Sequence, residues 1–219
     1  HSGGYDPKIY STAGVRYSNA FVVKIDSASV DANKKLTIKF SASETTDVAG
    51  MSVSDIKPTV LVGLYGYDSK DFIVPAHSRD STGQRQLEYV VGTAHPYFTT
   101  VSAANGSWEV TADLKNWAGK MADGSVKRAE IAVMPLLRHP TLEDPTSTAT
   151  PPAKLVLGLN APSRTFDLVA NVFDDAYFTD IVKVAAGCNT CHDQLATTFH
   201  SGDRGGNIKV CRICHEVSS

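Results

Sequence analysis

The sequence predicts a mainly β protein, an antiparallel β-sandwich or split barrel, with a small C-terminal module of short helices appended. Three observations carry that expectation. Short apolar runs, several of them alternating strictly with polar residues, recur from Ala20 to Phe173 and are separated by turn signals. Within that span only residues 111–121 (TADLKNWAGKM) read as a short helix. Beyond Phe173 the texture changes, and all four cysteines fall between Cys188 and Cys214.

In chain order, residues 1–18 (HSGGYDPKIYSTAGVRYS) are small and polar without a clear period, and read as an extended arm. Phe21, Val23 and Ile25 then alternate with Val22, Lys24 and Asp26. After a turn at Asp31-Ala-Asn-Lys34, Leu36, Ile38 and Phe40 alternate with lysine and threonine, so the two runs read as a hairpin. Thr59 to Tyr65 is continuously apolar, the pattern of a strand covered on both faces. Further runs sit around Leu87–Val91, Trp108–Val110, Ile131–Met134, Lys154–Leu157 and Arg164–Phe173, seven to nine short strands in all. Asp47–Gly50, Ser81–Gly83, Asn105-Gly106, Asp123-Gly124 and Thr150–Pro152 are the turns between them. Asn105-Gly-Ser107 matches a glycosylation acceptor, but Asn-Gly is first a hairpin turn. Tyr65, Trp108 and Trp117 are expected in the core, which aromatics dominate. This divides the chain into an arm (1–18), a β-domain (19–174) and a terminal module (175–219), entered through the acidic hinge Asp174–Asp180.

Composition narrows the function classes. A net charge of -2, with no basic run, gives no footprint for nucleic acid. No apolar stretch approaches the roughly 20 residues of a membrane-spanning helix. The chain opens with His1 and shows no signal peptide, which suggests a processed or trimmed form.

The terminal module carries the chemistry. Cys188-Asn-Thr-Cys191-His192 is followed after eighteen residues by Cys211-Arg-Ile-Cys214-His215. Two cysteines three apart with a histidine directly after the second are the sequence form of covalent c-type haem attachment. The thiols add across the haem vinyl groups and the adjacent imidazole reaches the iron. The rival is a four-cysteine zinc ribbon, whose spacing the cysteines also satisfy. Four thiolates have no use for a histidine after each pair, however. With 7 His in the chain, both would fall there by chance on the order of one time in a thousand. A thioredoxin-like pair would want a single Cys-x-x-Cys in a βαβ setting, which is not visible. The expected fold is therefore a β-sandwich or split barrel followed by a small dihaem c-type module with short helices, holding two covalently bound haem c groups. A module of 30–40 residues is too small for an ordinary apolar core, so the haem faces are expected to serve as one.

Residues Val182 to His215 resemble the first haem pair of the outer-surface decahaem cytochromes of the OmcA/MtrC type. The residues that carry this are V-x-V-A-x-x-C-N-T-C-H-D-Q-L-A-x-x-F-H-S-G-x-R and V-C-R-I-C-H. In that family a β-domain also precedes the haems. The resemblance implies electron transfer at the cell exterior, with periplasmic action as the alternative. It also implies two axial histidines per iron, and a distal ligand at the position of His200. The family has ten haems, whereas this chain stops four residues after the second motif. It would then be a fragment of a longer protein or a short relative that continues its haem chain into another subunit.

With His192 and His215 proximal, the distal candidates are His1, His77, His95, His139 and His200. If residues 192–200 are helical, His192 and His200 stand about 12 Å apart along the axis, so His200 is assigned to the second haem. His95-Pro96, His139-Pro140 and His77 lie in loops, where a solvated histidine is the ordinary expectation. His1, on the arm, would reach a haem of another subunit and make a filament. The expected partners are other cytochromes or copies of this chain, and an extracellular acceptor such as a mineral or electrode. The expected function is electron transfer, not enzymatic catalysis. A surface-binding module with redox-active haems and a small-molecule reductase at an open haem are the alternatives. No other catalytic motif is present in the sequence.

Overall fold

The computed structural model describes residues 6–68, 71–175 and 205–214. In chain order these form α1 (Tyr17–Ala20), β1 (Phe21–Val30), β2 (Lys35–Glu44), a 3-10 turn (Val53–Asp55), β3 (Lys57–Tyr65), β4 (Glu88–Val90), β5 (Phe98–Ala104) and β6 (Ser107–Asp113). A second 3-10 turn (Lys115–Trp117) leads to α2 (Ala118–Ala122), β7 (Arg128–Leu136), β8 (Arg138–Glu143), β9 (Lys154–Val156), β10 (Ser163–Asp167), β11 (Val172–Phe173) and α3 (Ile208–Cys214).

One sheet has the order β1-β2-β6-β5, another β11-β10-β7-β3-β4, and β8 and β9 form a separate ribbon. All pairings are antiparallel. The four-stranded sheet follows the alternation of its sequence. Phe21, Val23, Ile25, Leu36, Ile38, Phe40, Trp108 and Val110 turn inward, and Phe40 stacks on Trp108 with ring centroids 5.2 Å apart. They meet Val60, Val62, Leu64, Ile131, Val133 and Phe166 from the five-stranded sheet in one core. Non-directional burial of this kind drives the two layers together.

The first hairpin closes where expected. Lys34 takes a positive φ of 62°, and the Asp31 side chain accepts a 2.9 Å hydrogen bond from the Lys35 amide. Asn105 and Gly106, at φ 51° and 74°, join β5 to β6 by the turn their sequence predicts. A Cβ on Gly106 would lie 2.8 Å from Val53 Cγ2, so space as well as dihedral requires glycine there. Tyr65, Trp108 and Trp117 are buried, as expected.

Four expectations need correction. The arm, from Asp6 onward, is docked rather than extended: Ile9 and Tyr17 are buried, and the Lys8 carbonyl accepts a 2.7 Å bond from the Gly158 amide. Thr111–Asp113 belong to β6, because pairing to β2 outweighs their helical pattern, and the helix shrinks to Ala118–Ala122. The described strands number eleven, two of them unanticipated. β5 and β8 are largely exposed and so lack an apolar alternation. His139, expected in a loop, lies within β8. The start of the acidic hinge is tied down as well, Asp174 to Arg128 at 3.0 Å and Asp175 to Arg164 at 2.6 Å.

Candidate functional site

The second cysteine pair lies on α3, which crosses the outer face of the five-stranded sheet. Side chains three apart share a helix face. Val210 and Ile213 form one such pair and are fully buried against Leu61 of β3, Ala132 and Met134 of β7, Ala76 and Ala161. Burial of these two side chains stabilises the docking by about 1.5–3 kcal/mol each. Cys211 and Cys214 form the neighbouring pair, one turn apart, and both are half-buried. The Cys211 thiol lies 3.7 Å from the Asn207 carbonyl, its weak acceptor.

Both ends of α3 are pinned. At the start, Asn207 Oδ1 accepts a 3.0 Å bond from the Lys209 amide, the role of a cap. Its Nδ2 donates to the Ala161 carbonyl at 2.8 Å and to Ser163 Oγ at 2.9 Å. Gly205, at φ 46°, lies so close to the chain that a Cβ would come within 2.1 Å of the Leu159 carbonyl oxygen. At the far end the Ala76 amide donates to the Ile213 carbonyl at 3.1 Å, satisfying a last-turn acceptor that no helical donor reaches. Arg212 pairs with Asp71 at 3.4 Å. The helix therefore runs from the β7/β10 side of the sheet towards the segment 71–76, which bridges to β3 at Leu64.

Two charged groups flank it on the same face. Glu130 is fully buried in β7, where its Oε2 accepts a 2.6 Å bond from Thr165 and its Oε1 lies 3.9 Å from Lys209 Nζ. Burial pushes its carboxyl above the usual range, against the opposing pull of Thr165 and Lys209. At the opposite edge Glu88 stands across from Leu61 in register, which puts its side chain on the same face as α3. Its Oε2 meets His77 Nε2 at 2.7 Å and Arg85 at 2.5 Å.

The sequence-derived candidates separate cleanly. Cys211 and Cys214 share α3. His77 belongs to the segment whose neighbour, Ala76, is bonded to that helix. His95 is held elsewhere: its Nε2 bonds the Arg85 carbonyl at 2.9 Å, its Nδ1 accepts from the Tyr97 amide at 3.1 Å, and the rings of Tyr89, Tyr97 and Phe98 surround it. Desolvation lowers its pKa, which favours the neutral ring. His139 Nδ1 accepts from the Thr141 and Leu142 amides at 3.2 and 2.9 Å. Cys188, Cys191, His192, His200, His215 and His1 lie outside the described residues, as does the whole stretch 192–200. Glu130, Asn207 and Lys209 were not singled out by the sequence. An acidic residue inside the apolar run Arg128–Leu136 was the available signal for the first.

The described part of the terminal module does not rely on cofactor alone for its core, since α3 takes its apolar contacts from the β-domain. The donor set on α3 fits a c-type haem. Two half-buried thiols stand one turn apart on a helix anchored through Val210 and Ile213, with His215 next in sequence to Cys214.

No protein-family model and no curated protein matches this chain. Solved structures similar to it include MtrC and OmcA. MtrC from Shewanella baltica OS185 aligns with a TM-score of 0.45 at 14% identity, over 90% of this chain and 30% of its own. The outer membrane decaheme cytochrome OmcA aligns with a TM-score of 0.45 at 15% identity, over 93% of this chain and 30% of its own. The chain thus spans about a third of the length of these structures. No helix among the described residues is long and apolar enough to cross a membrane.

Proposed function

We propose that this chain is a c-type haem protein that transfers electrons outside the cytoplasm. Cys188, Cys191 and His192 would hold one haem, and Cys211, Cys214 and His215 a second. The observation that carries the reading is the placement of Cys211 and Cys214 one turn apart on an anchored helix, in a motif that the sequence repeats. Bound haem would supply reversible one-electron exchange. The chain's own residues do the positioning. Val210 and Ile213 hold the attachment helix to the sheet, and Asn207 and Ala76 satisfy its ends, so the thiols are presented in a fixed geometry.

In this role the protein is a carrier and not an enzyme. His192 and His215 would each hold an iron, with His200 as one further ligand, and His1, His77, His95 and His139 are the other candidates. The motif resemblance supports action at the cell surface, with other cytochromes or copies of this chain as donors. A mineral or electrode would then be the terminal acceptor.

Mass spectrometry of the denatured protein tests the reading. Two haem adducts per chain, lost one at a time on replacing each cysteine pair, are the expected result. An unmodified polypeptide with one zinc per chain would refute it in favour of the ribbon.

A further inference from the structure

Away from the cysteine helix, an open cleft of about 370 Å³ lies beside the edge strand β4, and none of its walls belongs to α3. Arg79, Gln84 and Arg85 come from a tight hairpin, Glu88 and Val90 from β4, and His95 from the loop after it. Arg79 stands directly across the hairpin from Arg85. The Gln86 amide donates to the Ser78 carbonyl at 2.8 Å and the Asp80 amide to the Gln84 carbonyl at 3.0 Å, so the two arginines fall between these bonds. In that kind of antiparallel pair the side chains approach most closely, on the same face, and like charges destabilise it.

The hairpin is built firmly in spite of this. Asp80 Oδ1 accepts from the Thr82 hydroxyl at 2.6 Å and from the Thr82 and Gln84 amides at 2.8 and 3.0 Å, and its Oδ2 accepts from the Tyr97 hydroxyl at 2.9 Å. These bonds, that of the Thr82 hydroxyl foremost, lower its carboxyl to about 2. Asp80 is thus spent on Tyr97 and its own turn, and does not line the cleft. Glu88 does, but its Oε2 is engaged by Arg85 at 2.5 Å and His77 at 2.7 Å. Arg79 has no carboxylate partner among the described residues. Its Nη1 donates to the Gly83 carbonyl at 2.5 Å, which fixes the guanidinium in place. His95 bonds the Arg85 carbonyl through Nε2 and accepts the Tyr97 amide at Nδ1, so it is neutral and adds no charge. Two guanidiniums against one carboxylate leave the cleft positive.

We propose that this cleft binds a small organic anion, its carboxylate or phosphate group held between Arg79 and Arg85. A guanidinium offers a planar fork that matches two oxygens of either group, and an anion between the arginines removes their repulsion. The volume suits a small molecule and not a bare ion, and half-exposed Val90 supplies an apolar wall for its carbon skeleton.

Calorimetric titration of the purified full chain with citrate, and separately with glycerol 2-phosphate, tests this. At least one should saturate at one molecule per chain in the millimolar range or below. Saturation by citrate alone assigns a carboxylate ligand, by the ester alone a phosphate ligand, and by both a fork that reads either oxyanion. Arg79→Gln should weaken binding about tenfold or more. Arg79→Lys, which keeps the charge and loses the fork, should weaken it less, and covers the case in which the glutamine variant does not fold. Arg138→Gln, on the separate β8–β9 ribbon, should bind as the unmutated chain does. No saturable binding of either probe, binding unchanged in both Arg79 variants, or equal weakening by Arg138→Gln would overturn the proposal. The result stands apart from the haem reading, because no lining residue comes from the cysteine helix.

Discussion

The two sheets solve the problem of their outer faces differently. In the four-stranded sheet, β1 alternates buried Phe21, Val23 and Ile25 with exposed Val22, Lys24 and Asp26, so water covers one side. In the five-stranded sheet, β3 and β7 are buried on nearly every residue from Pro58 to Tyr65 and from Arg128 to Pro135. Their inner side chains enter the same core as the first sheet, but Leu61, Ala132 and Met134 turn away from it and meet α3. A strand that is apolar on both faces demands a second cover. Here part of the cover is the helix that bears the second cysteine pair, so the described residues 205–214 are built onto the β-domain and not merely tethered to it.

The contrast predicts two kinds of destabilisation. Phe40→Ala empties the shared core, costs about 3–5 kcal/mol, and should lower the urea midpoint of the whole β-domain. Ile213→Ala costs about 2–4 kcal/mol of docking, and should speed amide hydrogen exchange in residues 208–214 while the β-domain midpoint stays near its original value. An equal fall in midpoint for both would mean that the two faces form a single cooperative unit. Asn207→Ala removes the cap and two bonds to the β10 side, and should show the same local pattern at about 1–2 kcal/mol. The smallest effect belongs to Glu130. Its folded pKa is raised by burial, so the folded chain holds the proton to higher pH than the unfolded chain does. The stability it contributes is fully present below the unfolded value and declines as pH rises through the folded one. Glu130→Gln should flatten that part of the pH–stability curve, and an unchanged slope would show that another group sets it.

Legibility in the sequence tracked burial pattern. The β1–β2 hairpin was readable because Leu36, Ile38 and Phe40 alternate, and β3 because its run is unbroken. β5 and β8 were not, since residues such as Thr99, Ser102, Arg138 and Thr141 bury little and carry no period. The cysteine-histidine motifs were plain from spacing alone. The docking of α3 was hidden inside one of them: Val210 and Ile213 are two of three aliphatic residues in a seven-residue helix, and only the sheet face beneath gives them a purpose. The nearness of His77 to that helix depends on a backbone bond between residues 76 and 213, a separation no local pattern reports.

The most direct measurement is the absorption spectrum of the purified protein, oxidised and then reduced with dithionite, before and after carbon monoxide. Two low-spin haems per chain, reversibly reduced and unchanged by carbon monoxide, are the result that the proposed function predicts, since two histidines on each iron would leave no open position. A spectrum without haem bands would contradict the account at its centre and return the four cysteines to zinc.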